Sequence, residues 1–278
     1  MVAGFFPILR KYFLLVFLCG IFSLSGCDND LFGIFGSTDL DERWSARNSF
    51  KFPGFHDRNL SLGDEYSFIM LADTHIEGSL FGLGKLKDVI DSDSDIKFVV
   101  FNGDITQNGK QKDVDRFTKL AVDLGVPCYP AAGNHDIYFG SWPVWKKNIG
   151  STCYKIDGGS ATLLVLDSAN AFFGAKQLDW LEKELKKANG RVFVFTHVNP
   201  FIENPLDIQQ FTDIRERARV VSLLEGRCDI MFTGHVHRRI INKAGGVNYI
   251  TVEDYRSTSV YCKVFVTKDK VRWEFKKL

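Results

Sequence analysis

From Tyr66 onward, short continuous apolar runs alternate with longer stretches in which apolar residues recur at helical spacing. Residues 67–72, 96–102, 126–131, 161–166, 192–196, 229–233, 247–252 and 260–266 read as strands. Segments 111–124, 176–188 and 213–224 carry the helical period. Strands separated by helices predict an α/β architecture. The end of the chain departs from that alternation. From Val247 to Phe275 three strands follow one another through turns such as Lys268-Asp269-Lys270, so a mixed sheet is expected. No internal repeat is visible.

The pattern before Tyr66 is different. Arg10 and Lys11 precede an apolar stretch from Tyr12 to Leu24, shorter than the roughly 20 residues of a spanning helix. It ends in Leu24-Ser25-Gly26-Cys27, which resembles the lipobox of bacterial lipoproteins. The expectation is a signal peptide over 1–27, cleaved to leave a lipidated Cys27, and a protein exported to the cell envelope and anchored to a membrane rather than spanning it. Residues 28–64 lack a sustained period and read as a tether, followed by a folded domain over 65–278. Within the tether, 39–47 has the makings of a short helix, capped by Thr38 or Asp39 and packed on the domain.

Composition narrows the function classes. With 278 residues, 45% of them apolar and 25% charged, the chain has an ordinary globular make-up. Its 35 basic residues nearly balance 34 acidic ones, and no basic run is present, so no nucleic-acid-binding surface is expected. Nothing implies an obligate protein partner. Setting aside Cys19 and Cys27 leaves Cys128, Cys153, Cys228 and Cys262, with no C-x-x-C spacing for structural zinc. Four cysteines in an exported protein permit disulfides in three connectivities, while Cys128, Cys228 and Cys262 fall in apolar runs, where buried free thiols are common.

Histidine carries the chemical signal. Five of the six histidines stand where apolar runs end: in Asp73-Thr74-His75, in Gly133-Asn134-His135-Asp136, at His197, and in Gly234-His235-Val236-His237. Gly103-Asp104 closes a further run. The sixth, His56, reads as a solvated loop residue. Loops at the carboxyl ends of strands form the ligand crevice of an α/β sheet, so one edge would collect every candidate. Manganese, iron and zinc all accept mixed oxygen and imidazole ligands. Two such ions roughly 3.5–4 Å apart can hold an activated hydroxide and neutralise phosphate oxygens. Asn134 would add coordination without negative charge, which suits an anionic substrate.

This ordered series resembles the calcineurin-like metallophosphoesterases across about residues 66–254. The resemblance implies a four-layer sandwich, two mixed β-sheets face to face with helices outside, and a metal site on the strand C-terminal loops. It implies one metal (Mn, Fe or Zn) on Asp73, His75, Asp104 and His237, and a second on Asp104, Asn134, His197 and His235. It implies that His135 stabilises the phosphate and protonates the leaving oxygen, oriented by Asp136. The expected activity is hydrolysis of a small phosphomono- or phosphodiester, cyclic nucleotides included. A non-catalytic binding scaffold on the same fold is the alternative of another class, and it predicts missing ligands, whereas none is missing. Gln107 stands where many relatives place an acidic residue. Segment 201–210 is expected to form a lid, Phe172, Phe173 and Phe201 to pack beside the site or line a pocket, and Arg238 and Arg239 to meet an anionic group or solvent.

Overall fold

The computed structural model describes residues 40–54, 59–138, 140–201, 210–211 and 213–278. The leader, Cys19, Cys27, Thr38, Asp39, His56 and most of segment 201–210 lie outside the described residues.

Two mixed sheets form the centre. The larger contains β1 (Asn59–Leu62), β5 (Tyr154–Gly159), β6 (Ala161–Val165), β7 (Arg191–Phe195), β8 (Ile230–Thr233), β9 (Ile240–Ala244) and β10 (Val247–Thr251), in the order β1-β5-β6-β7-β8-β10-β9. The smaller contains β2 (Tyr66–Leu71), β3 (Ile96–Asn102), β4 (Cys128–Ala131), β11 (Val260–Val266) and β12 (Val271–Lys277), in the order β12-β11-β2-β3-β4. Strands β2, β3 and β4 run parallel, as do β6, β7, β8 and β10. Their carboxyl ends therefore converge on one edge of the sandwich.

Alternation along β2 explains the layering. Phe68 and Met70 join the core between the sheets, with Phe98, Val100, Phe193, Phe195 and Phe232. Phe68 stacks on Phe98 at 4.6 Å and meets the edges of Phe193 and Phe195. Ile69 and Leu71 face the other way, into a cluster with Phe101, Val114, Phe117 and Trp145. The covering helices there are α2 (Leu86–Asp91), α3 (Gln111–Asp123) and α5 (Trp142–Asn148), while α4 (Asn134–Ile137) is a single turn. On the far side, α6 (Ala175–Lys187) and α7 (Ile214–Leu224) bury Leu178, Leu181, Val220 and Leu224 against β6, β7 and β8. Strands covered on both faces read as continuous apolar runs. The expected four-layer α/β sandwich is the observed architecture.

Two local expectations differ. Strand β10 and the β11–β12 pair are not one meander. After Thr251 the chain pairs Asp254 with Ala72, turns through α8 (Tyr255–Thr258), and enters the other sheet. The stretch assigned to the tether is also partly integral to the fold. Helix α1 (Leu40–Ser45) inserts Arg43, fully buried, against Asp167 at 2.6 Å and Asn170 at 2.6 Å. Phe52 stacks on Phe117, and β1 pairs with β5. These contacts are all distant in sequence, so no local period announces them. Cys128, Cys153, Cys228 and Cys262 are free and buried, and burial pushes each thiol's pKa up. Among the described residues, no helix is long and apolar enough to cross a membrane.

Candidate metal centre

Each motif sits on the loop that leaves a strand at the shared edge. Asp73 and His75 follow β2, Asp104 follows β3, and Asn134 and His135 open α4 after β4. His197 follows β7, and His235 and His237 follow β8. Both sheets therefore contribute. The turns are tight enough that Asp73, His75, Asp104, His235 and His237 all have positive φ, between 41° and 72°. Non-glycine residues seldom adopt this conformation, and it clusters at functional sites.

Close approach explains two of the glycines. A Cβ on Gly103, which has φ 88°, would lie 2.3 Å from the His197 ring. One on Gly133 would lie 2.2 Å from the Asp104 carboxylate. Neither leaves room for a side chain.

The ligand atoms of Asp73, His75 and His237 lie within 4.8 Å of one another, and so do those of Asp104, His197 and His235. A third such group, His75, Asp104 and His135, joins the two. His237 Nε2 is 3.3 Å from Asp73 Oδ1, and His197 Nε2 is 3.1 Å from Asp104 Oδ2 without the alignment of a hydrogen bond. His75 Nε2 is 3.9 Å from both carboxylates. Asp73, Asp104, Asn134, His75, His197 and His235 are buried, whereas His135 and His237 are half-buried and mark the open side. Asp73 Oδ1 and Asn134 Oδ1 are buried oxygens that accept no hydrogen bond. Buried acceptors are normally satisfied, and convergent oxygen and imidazole donors are what two metal ions would use. The residues fit the implied metals.

Orientation is set from outside the cluster. His197 Nδ1 lies 3.0 Å from the Asn102 carbonyl, which can only accept, so Nδ1 carries the proton and Nε2 faces the carboxylates. Asp73 Oδ2 accepts from the His235 backbone N–H, and Asp104 Oδ1 from that of His135. Burial opposes ionisation of Asp104, but the His197 and His135 rings hold its carboxyl well below the usual range. Asp73 is likewise lowered against burial by His237 and His197. Burial dominates at His75, whose pKa falls to about 4. At His197 and His237 burial is outweighed by Asp104 and Asp73 respectively, and both rise to about 9.

The expected pairing of His135 with Asp136 is not what the fold provides. His135 Nδ1 lies 2.8 Å from the carbonyl of Gln107. The Asp136 carboxylate instead accepts from the backbone N–H groups of Ile105, Thr106 and Gly133 and from the Thr106 hydroxyl. Successive residues on a helix point in different directions, so neighbours in α4 do not share a face. Burial and the charge of Asp104 raise the Asp136 pKa to about 6 despite those bonds. Asp136 braces the Asp104 loop.

Residues beside the centre also sort out. Phe173 is buried and stacked on Phe211, Phe201 packs on Tyr249, and Phe172 is 41% exposed. Arg239 makes two hydrogen bonds to Glu253 and lies over the Phe275 ring, which fixes it at the sheet edges. Arg256, which belongs to no motif, donates to the Gln107 side chain at 2.7 Å. Neither its sequence neighbours nor a period singles it out.

Comparison with known proteins adds the lineage. A protein of Fibrobacter succinogenes named "probable cyclic nucleotide phosphodiesterase" is 26% identical over 157 residues, 53% of this chain and 60% of that protein. An Arcobacter nitrofigilis protein named "probable glycerophosphodiester phosphodiesterase" is 30% identical over 155 residues, 50% of this chain and 56% of that protein. The match thus spans less than two thirds of these relatives' own lengths. Among solved structures, a dimetal phosphatase from Danio rerio superposes with a TM-score of 0.61 at 15% identity, covering 76% of this chain and 96% of the other. A yellow lupin purple acid phosphatase gives 0.64 at 15% identity, covering 82% and 53%. These two show the same fold. The family model for calcineurin-like phosphoesterases matches residues 66–239, well over half of the chain. With its ligand motifs gathered at the edge of the matching fold, this chain belongs to the calcineurin-like phosphoesterase family.

Proposed function

We propose that the protein is a metal-dependent phosphoesterase that hydrolyses small phosphodiesters, exported and held at a membrane by a lipid on Cys27. The observation that carries the catalytic part is the pair of Asp/His ligand groups, each drawing on both sheets, that meet in one cluster at their shared edge. In this reading one metal is held by Asp73, His75, Asp104 and His237, and the other by Asp104, Asn134, His197 and His235. Two bound ions would supply an activated water and neutralise phosphate charge. The chain's own residues do the rest. Asn102 fixes the His197 ring, Asp136 fixes the loop carrying Asp104, and the half-buried His135 gives a proton to the departing oxygen. A complete ligand set with His135 at its open side favours an enzyme over a binding scaffold.

The diester preference is supported by the names of the relatives, both phosphodiesterases. Export and anchoring are supported by the leader and Leu24-Ser25-Gly26-Cys27. The test is elemental analysis of protein lacking residues 1–27, together with hydrolysis of bis(p-nitrophenyl) phosphate and p-nitrophenyl phosphate. About two metals per chain and faster turnover of the diester are expected. Absence of bound metal and of turnover after adding manganese would favour the scaffold.

A further inference from the structure

The loop after β3 is held at two points. Asp136 fixes Ile105 and Thr106. Gln107, the next residue, is buried and secured separately: its N–H donates to the Ile76 carbonyl at 3.1 Å, and its Oε1 accepts from Arg256 Nη1 at 2.7 Å. Its own carbonyl lies 2.8 Å from His135 Nδ1. A carbonyl only accepts, so Nδ1 is the protonated nitrogen of the neutral ring, and proton transfer must use Nε2.

Arg256 is itself tied down on several sides. Its backbone N–H donates to the Asp73 carbonyl at 3.2 Å. Its guanidinium lies 3.9 Å from Glu77 Oε2 and 5.2 Å from the Phe81 ring centroid. The side chain is 30% exposed, so it is not a core residue whose loss would collapse the fold. It links the loop of Asp73 and His75 to the residue that orients His135.

Resting on the phosphoesterase reading, we propose that Arg256 is a positioning residue for His135. By holding the Gln107 side chain it keeps the Gln107 carbonyl on Nδ1 and leaves Nε2 as the nitrogen that serves the leaving group. In the step so served, the phosphorus–oxygen bond breaks and the leaving oxygen keeps the electron pair. That oxygen takes the Nε2 proton, the ring remains as its Nδ1–H tautomer, and a proton from the attacking water restores it.

Two readouts test this. In metal-free protein with ¹⁵N-labelled histidine, the neutral His135 ring should be a single Nδ1–H tautomer. Arg256→Ala should convert it to a mixture, and Arg256→Lys should restore it in part. In the metal-loaded enzyme, Arg256→Ala should lower kcat for glycerophosphocholine about tenfold, in the range for loss of an outer-shell partner. The loss for bis(p-nitrophenyl) phosphate, whose leaving group departs without a proton, should stay under about twofold, with KM unchanged for both. In a His135→Ala background the Arg256 substitution should have no further effect. An unchanged tautomer, equal losses on both esters, a change confined to KM, or additivity with His135→Ala would each overturn the proposal. If the metal-loaded wild type hydrolyses neither ester, the phosphoesterase reading falls, and the tautomer still decides the positioning.

Discussion

Five of the seven candidate ligands hold left-handed backbone, a conformation that costs about 1–3 kcal/mol per non-glycine residue. Such turns let adjacent ligands reach one point. Asparagine tolerates this conformation too, so Asp104→Asn changes charge without changing the turn. It should remove metal and lower kcat at least about a hundredfold; retained metal and turnover would exclude Asp104 as a shared ligand. A second expectation concerns protons. In the metal-free protein His197 and His237, with pKa values raised to about 9, are cationic at neutral pH. Each must lose its proton to bind metal, so apparent metal affinity should rise with pH up to about 9 and then level off. The same sign makes these pairs stabilise the metal-free fold below the ordinary histidine value of 6.5 and lose that contribution as pH rises through 9. Calorimetry of metal binding in two buffers of different ionisation enthalpy would register the released protons, and an absence of release at pH 7 would contradict the assignment.

At the level of elements, the least conspicuous one makes the costliest contact. Helix α1 buries Arg43 against Asp167, and removing one partner of a buried pair leaves the other charge without compensation. Arg43→Ala should cost about 3–5 kcal/mol in urea unfolding, and a loss below about 1 kcal/mol would mean that water reaches Asp167. A short helix packed on the domain was legible over 39–47, but its partners were not, because Arg43 and Phe52 act on residues a long way along the chain. Strands β2, β3, β7, β8 and β11 were legible because burial on both faces writes a continuous apolar run. Edge strand β9 has half-buried and exposed residues in alternation, and β5 ends in Gly158 and Gly159, so neither presents such a run. The helices α2, α4, α5 and α8 are too short to display a period. In the site, ligands were legible because chemistry restricts them to particular side chains. The Gln107 carbonyl was not, since every residue has one, and Arg256 was not, since it works through that carbonyl.

For the whole molecule, the helix α1 places Leu40, within the stretch read as a tether, on the folded domain. If Cys27 carries lipid, the span to Leu40 is all that separates the domain from its attachment. Cys27→Ala should move the protein from the membrane fraction to the soluble fraction, and continued retention in the membrane fraction would favour an uncleaved leader as the anchor. The two-sided origin of the ligands has a mechanical consequence. Asp73, His75, Asp104 and Asn134 belong to the smaller sheet, while His197, His235 and His237 belong to the larger. Bound ions would therefore rivet the two halves of the sandwich at one rim. Loading at a hundred times Kd should add about 2.7 kcal/mol per ion to stability and slow amide exchange more along that rim than along the opposite one, where packing and the hydrogen bond from Arg191 to the Lys268 carbonyl join the sheets. Sliding one sheet over the other would pull both sites apart together, so the pair of ions would be gained and lost as one unit.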